Sequence, residues 1–344
     1  MNYNLIKIEN QDDPLNQASD NFISTKNMPD YSSSHWQKII DSTYAYNTAR
    51  FCVIGEDNQI HGTSLIYYCP KTGKAFTPRF GLCADNQDVF NILAKAIKDF
   101  STEHQFKDVL ITSGHDPFQS EKPYWHKKNI FIPLEYETQE KLWDAVPKKT
   151  KNMIRKAEKN GITIRISHNA LESFYPLYQS HMLSKQLKIK PRMYFEKLQN
   201  EMKEKLVYVE ARHNGEIAGY MIFLNNAHNA SYLYNVCEHS AARDGANNLM
   251  MWNAFCYFYE QNKKFIELGE SSENSPVYNF KKRLTKEPRI EDIFYVQLLQ
   301  SQQRSLSEKI IGKLHAFQMK VLPYMPEAMQ THILLKEDSI GRVI

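Results

Sequence analysis

The chain has 344 residues, 42% of them apolar, 12% aromatic and 24% charged, with a formal net charge of +4. That length points to about two domains, and the apolar share excludes a disordered or low-complexity chain. The charge is too small to imply nucleic acid by itself. No apolar run approaches a membrane span, and the N-terminus lacks a signal-peptide pattern, so a cytoplasmic location is expected.

In chain order, residues 3–8 predict a strand and 15–25 a helix, and Ser34-His35-Trp36 opens another helix with serine as its cap. A hairpin follows: the apolar run 51–54, the turn Asp57-Asn58-Gln59, then Ile60-His61-Gly62 at the start of the returning strand. Next come an extended segment over 76–82, a helix over 88–101 with apolar residues at helical spacing, and strands at 109–112 and 129–134. The second half repeats the mix. Helices are expected over 138–146 and 148–160, a strand at 162–166, and helices around 170–184 and 191–203. A second hairpin has the apolar run 206–209, the turn Asn214-Gly215, and Ile217-Ala218-Gly219 opening its return. A strand at 230–236, a helix over 247–261 and a strand at 265–268 complete the pattern. Gly62 and Gly219 stand 157 positions apart, and a glycine inside a strand marks a bulge or a close backbone approach. Two such hairpins in halves of similar length predict one α/β (α+β) domain built twice, over 1–137 and 138–300. A helical tail over 301–344 follows. Its stripe of Leu306, Ile310, Leu314, Phe317 and Val321 packs on its own domain or, in the sharper reading, docks at the inner face of a membrane.

The five cysteines are odd in number and widely spaced, so reduced thiols are expected rather than a disulfide set or zinc site. No HExxH, P-loop or nucleophile elbow occurs, and no metal is expected. The most distinctive stretch is 147–161, with six basic residues against one acid. Lys148, Lys151, Arg155 and Lys159 share a helical face that suits a diphosphate, a lipid phosphate or RNA. A solvated face serving only solubility fits the charge equally well.

This lysine-rich helix, followed by the strand Ile162-Thr163-Ile164-Arg165, resembles the FemAB-like branch of the GNAT acyltransferase superfamily. Thr77-Pro78-Arg79-Phe80-Gly81 looks like that family's Pro-Arg-x-Gly element. Asn247 to Trp252, Phe265 to Gly269 and Asn279-Phe280-Lys281-Lys282-Arg283 look like its late signature. The likeness spans most of residues 30–300 and implies tandem GNAT-like domains with mixed sheets flanked by helices. It also implies transfer of an acyl or aminoacyl group to an amine of a cell-wall or polysaccharide precursor. On that resemblance Lys281, beside Phe280, stands at the reaction centre, where a positive donor would meet the developing oxyanion. Glu267 is the first choice of base, ahead of Glu270, Glu238 and His239. Lys148, Lys151, Arg155 and Arg79 would contact a phosphate-bearing acceptor, a nucleotide-sugar or a lipid-linked precursor. The donor would be acyl-CoA or aminoacyl-tRNA, with Arg243, Gly245 and Asn247 in the loop that holds CoA in ordinary GNAT enzymes. Two departures stand out: Ala242 replaces the expected Gln or Arg of that loop, and Leu284-Thr285 replaces an aromatic residue and glycine after Lys281. By composition alone, Lys281 to Arg283 form an exposed basic turn. The rival reading is a non-catalytic RNA- or phosphate-binding protein on a decayed GNAT fold.

Overall fold

The computed structural model describes residues 2–10, 12–26, 31–44, 46–70, 72–113 and 124–300, together with 322, 325, 326 and 329. Apart from those four residues, the helical tail expected over 301–344 lies outside the described residues. The first half contains β1 (Tyr3–Ile8), α1 (Pro14–Thr25), α2 (Ser34–Thr43), β2 (Asn47–Gly55), β3 (Ile60–Cys69), β4 (Lys74–Phe76), β5 (Leu82–Ala84), α3 (Gln87–Glu103), β6 (Asp108–Ser113) and β7 (Tyr124–Pro133). The second contains α4 (Gln139–Ala145), α5 (Lys148–Lys159), β8 (Ile162–Ser167), α6 (Leu171–Ser184), α7 (Arg192–Met202), β9 (Leu206–His213), β10 (Glu216–Asn225) and β11 (Asn229–Cys237). It continues with α8 (His239–Arg243), α9 (Ala246–Glu260), β12 (Phe265–Ser271), α10 (Pro276–Lys282) and β13 (Arg289–Gln300).

All strands but β5 follow one path, β1-β2-β3-β4-β6-β13-β7-β12-β11-β10-β9-β8, and β5 pairs beside β3. Read outward from the centre, the two sides match in strand number and sense. The pairs β4/β6 and β11/β12 are parallel, and the other pairs along the path are antiparallel. The match extends to the hairpins. The register of each slips just before its glycine, leaving His61 and Ala218 as the extra residues. A Cβ on Gly62 would lie 2.4 Å from Val89 of α3, and one on Gly219 would lie 3.2 Å from Met250 of α9. Both glycines therefore let the helix of their own half lie close against the strand.

The strand at 129–134, expected to close the sheet of the first half, lies instead at the centre of one continuous sheet, through an exchange. β7 pairs with β12 of the second half, and β13 pairs with β6 of the first, while β7 and β13 pair with each other at the centre. Alternation along single strands does not encode which neighbour a strand takes.

Three cores hold the layers. α3 covers one face of the first half with Val89, Leu93, Ile97 and Phe100, all buried. α5 and α9 cover the second half with Ile154, Ala157, Leu249, Met250 and Phe255. Between the halves, Trp36, Ile39 and Ile40 of α2 meet Tyr194, Phe195 and Leu198 of α7 in a shared core. Each such side chain contributes about 1.5–3 kcal/mol on burial. The cap of α2 is Ser33 rather than Ser34, because the Trp36 amide donates to the Ser33 hydroxyl.

Candidate functional site

The parallel pair β11/β12 lasts three residues, from Asn229↔Phe265 to Ser231↔Glu267, and then the strands part. Its counterpart β4/β6 also ends after three, at Phe76↔Leu110. In the first half the gap is closed by the chain itself. The Thr77 amide donates to the Leu110 carbonyl (3.0 Å), the Thr112 amide to the Thr77 hydroxyl (2.7 Å) and the Gly81 amide to the Thr112 carbonyl (3.2 Å). This plug carries Arg79 towards the second half.

In the second half, β12 bulges where it leaves β11, its register against β7 slipping between Glu267 and Glu270. Gly269 takes φ +74° at this bulge, a conformation that disfavours a side chain. A Cβ there would also stand 2.9 Å from Arg79 Nη1 and 3.8 Å from Lys281 Nζ, so two cations converge on the bulge.

Lys281 arrives on α10, which Ser275 caps by accepting from the Tyr278 amide (3.1 Å) and Pro276 starts. Tyr278 anchors the helix in the second-half core. The Lys281 ammonium donates to the Gly269 carbonyl (3.0 Å), the Glu270 carbonyl (3.3 Å) and the Ser271 hydroxyl (3.0 Å). It is 7% exposed, whereas Lys282 and Arg283 are exposed, so the three do not form a uniform basic turn. Burial lowers its pKa to about 8, with the charges of Arg79 and Lys127 acting in the same direction against those of Glu267 and Glu270.

Glu267 is fully buried. It accepts from Arg79 Nη1 at 3.0 Å and from the Tyr31 hydroxyl at 3.3 Å, and the Arg79 guanidinium lies 4.5 Å over the Tyr31 ring. Glu270 accepts from Lys127 Nζ (2.6 Å) and from the Tyr295 hydroxyl. Burial alone would raise the Glu270 carboxyl, but Arg79, Lys127 and Tyr295 hold it below its usual range. A small cavity lined by Thr77, Arg79, Thr112, Glu270 and Tyr295 adjoins this network.

Phe280 is half-buried against the second-half core. Leu284, where the family pattern differs, is also buried in that core. The loop after Lys281 is tied to the basic helix and to the end of α4: the Thr150 hydroxyl donates to the Arg283 carbonyl (2.7 Å) and the Lys286 amide to the Ala145 carbonyl (2.8 Å). Lys148 and Arg155 are exposed on α5, and Lys151 is largely covered. Lys151 and Arg155 stand 5.1 and 5.8 Å over the Trp143 ring, beside a groove that also involves Trp252.

The expected cofactor loop contains a short helix, α8. Gly245 has φ +96°, and a Cβ on it would lie 2.3 Å from the Met153 carbonyl of α5. Packing against α5 thus accounts for this glycine. Lys156 fastens the same loop by donating to the Arg243 carbonyl (2.9 Å) and pairing with Asp244 (3.0 Å). The Arg243 side chain is exposed, and Asn247 is half-buried in the first turn of α9. That helix has no side-chain cap, whereas its counterpart α3 is capped by Asn86.

Tyr31, Lys127 and Tyr295 were not foreseen. Tyr31 lies outside every recognisable element in the sequence, and the other two occupy strand segments whose pairing the sequence does not display. The cysteines are free, with Cys52, Cys83 and Cys237 buried. Among the described residues, no cluster of three or more His, Cys, Asp or Glu is placed to hold a metal, and no helix is long and apolar enough to cross a membrane.

Residues 117–230, which include α5 and the second hairpin but not Lys281, match the model of the FemAB family. No curated protein sequence matches the chain. Among solved structures, FemX superposes with a TM-score of 0.66 at 13% identity, covering 86% of this chain and 98% of FemX. A tandem GNAT protein from the clavulanic acid biosynthesis pathway gives 0.55 at 11%, covering 86% of this chain and 99% of its own. L-PGS from Bacillus licheniformis gives 0.51 at 15%, covering 87% and 95%. With the strand-by-strand match of its halves, the chain has a FemAB-like tandem GNAT fold.

Proposed function

We propose that this protein is a transferase that moves an acyl or aminoacyl group onto an amine of a phosphate-bearing cell-envelope precursor. The observation that carries the reading is the buried Lys281 ammonium at the Gly269 bulge, where β12 leaves β11. A buried cation with a lowered pKa is costly to maintain unless its environment serves a purpose, and such groups gather at active sites. In the reaction the neutral acceptor amine attacks the donor ester or thioester carbonyl, and Lys281 donates to the oxygen as charge develops on it. The adduct collapses to the amide as the donor C–O or C–S bond breaks, the amine's proton leaving with the released hydroxyl or thiol. To do so it exchanges one of its three present acceptors, most simply the Ser271 hydroxyl, for that oxygen. Glu267, paired with Arg79 and Tyr31, acts in this reading by fixing the bulge and its charges rather than as a free base.

The domain division at residue 137 belongs to the same proposal, with the acceptor in the second half's gap and its phosphate on Lys148, Lys151 and Arg155. Arg79 then serves the site through Glu267 instead of touching the acceptor. The loop of Arg243, Gly245 and Asn247 is packed on α5, which favours aminoacyl-tRNA over acyl-CoA as donor. The test is a thermal-shift comparison of acyl-CoAs, aminoacyl-RNA minihelices and UDP-sugars. A ligand at a hundredfold over its dissociation constant stabilises by about 2.7 kcal/mol. Stabilisation by a minihelix, with none from acyl-CoA, is the expected result for the donor, and the UDP-sugar tests whether the acceptor is a soluble nucleotide-sugar. Stabilisation by acyl-CoA alone would overturn the donor assignment.

A further inference from the structure

The connection between α6 and α7 presents an apolar residue where helix ends ordinarily hide one. The Leu187 amide donates to the Met182 carbonyl (2.9 Å) and the Gln186 amide to the Leu183 carbonyl (3.0 Å), with Gln186 at φ +54°. This is the Schellman ending, in which the residue after the left-handed one usually packs back on the helix. Leu187 occupies that position and is 49% exposed. The loop beyond it is fixed. Ile189 is fully buried, the Lys190 amide donates to the Tyr178 hydroxyl (3.0 Å), and the Tyr175 hydroxyl donates to the Lys190 carbonyl (3.3 Å). Lys185 and Lys188 are exposed on either side of Leu187, and Met193, 43% exposed, follows on α7. Lys185 is close enough to Cys237, at the end of β11, to influence its thiol.

We propose that the Lys185-Gln186-Leu187-Lys188 turn docks this protein on an anionic membrane surface, with Leu187 entering the headgroup boundary and the lysines meeting lipid phosphates. An exposed leucine between lysines on a rigid turn suits that surface, since apolar insertion and attraction to anionic lipid act together. The inference rests on the transferase reading only for its consequence, which is that the acceptor is lipid-linked rather than a soluble nucleotide-sugar.

The experiment is co-sedimentation of the full chain with phosphatidylcholine vesicles, with and without phosphatidylglycerol, and involves no turnover. Binding is expected only with phosphatidylglycerol and should fall with added salt. Lys185→Gln with Lys188→Gln should weaken it by about thirtyfold, the scale of two lysines at such a surface. Leu187→Ser, a change at an exposed position, should weaken it further. Lys95→Gln with Lys98→Gln on α3 removes equal charge and should change little. Failure of the parent protein to bind, or equal binding by the loop variants, would overturn the proposal. Vesicle binding by a protein that transfers nothing would keep the docking turn and remove the transferase reading instead.

Discussion

Lys281 offers the clearest test at the level of a single side chain. Its ammonium must be present to stabilise an oxyanion, and its pKa is lowered to about 8. Turnover should therefore fall as pH rises through about 8, whereas a base at this position would make it rise there. The same shift affects stability in the opposite sense. The unfolded chain binds the lysine proton more tightly, so this residue's contribution to stability rises with pH between about 8 and the usual lysine value. Lys281→Met should lower turnover about a hundredfold or more with substrate affinity little changed. Lys282→Met, which removes the same charge from an exposed neighbour, should leave turnover near that of the parent. A change confined to the Michaelis constant in Lys281→Met would mean equal binding of ground and transition states.

Helix α5 and the loop before α9 act as one element, because Gly245 packs on Met153 and Lys156 grips Arg243 and Asp244. Gly245→Ala meets both a left-handed backbone and a backbone carbonyl, so it should destabilise by at least about 1–3 kcal/mol in denaturant unfolding. Replacing the exposed Lys148 and Arg155 by glutamine should behave in the opposite way. Exposed charges contribute little to stability, so the melting temperature should barely move while affinity for a phosphate-bearing acceptor falls. Unchanged affinity would leave the stripe a solvated face. Much of this was legible beforehand: 3.6-residue spacing marked α5, and the paired glycines marked the hairpins. α10 was not, since seven residues are too few for a periodic signal and only its cap and proline announce it. The burial of Lys281 was equally hidden, because it depends on the β12 bulge, a matter of register between strands distant in sequence.

Across the whole molecule, the two sides of the sheet match strand for strand, yet they are not interchangeable. One gap is filled by residues 77–81, and the Arg79 this plug carries forms a buried pair with Glu267 of the other half. The sequence showed both residues and the duplication but not their meeting, since the exchange of β7 and β13 brings the halves into one sheet. The pair therefore fastens the halves as well as the bulge. Taking two charges out of water is costly, and removing one partner leaves the other uncompensated. Arg79→Met should destabilise by about 3–5 kcal/mol in urea unfolding, because Glu267 is fully buried. Adding Glu267→Gln should restore part of the loss, since the neutral amide no longer needs the guanidinium, and the non-additivity measures the coupling. Full additivity of the two changes would mean that the halves are held by their shared aromatic core alone, with the Arg79–Glu267 contact adding nothing to the junction.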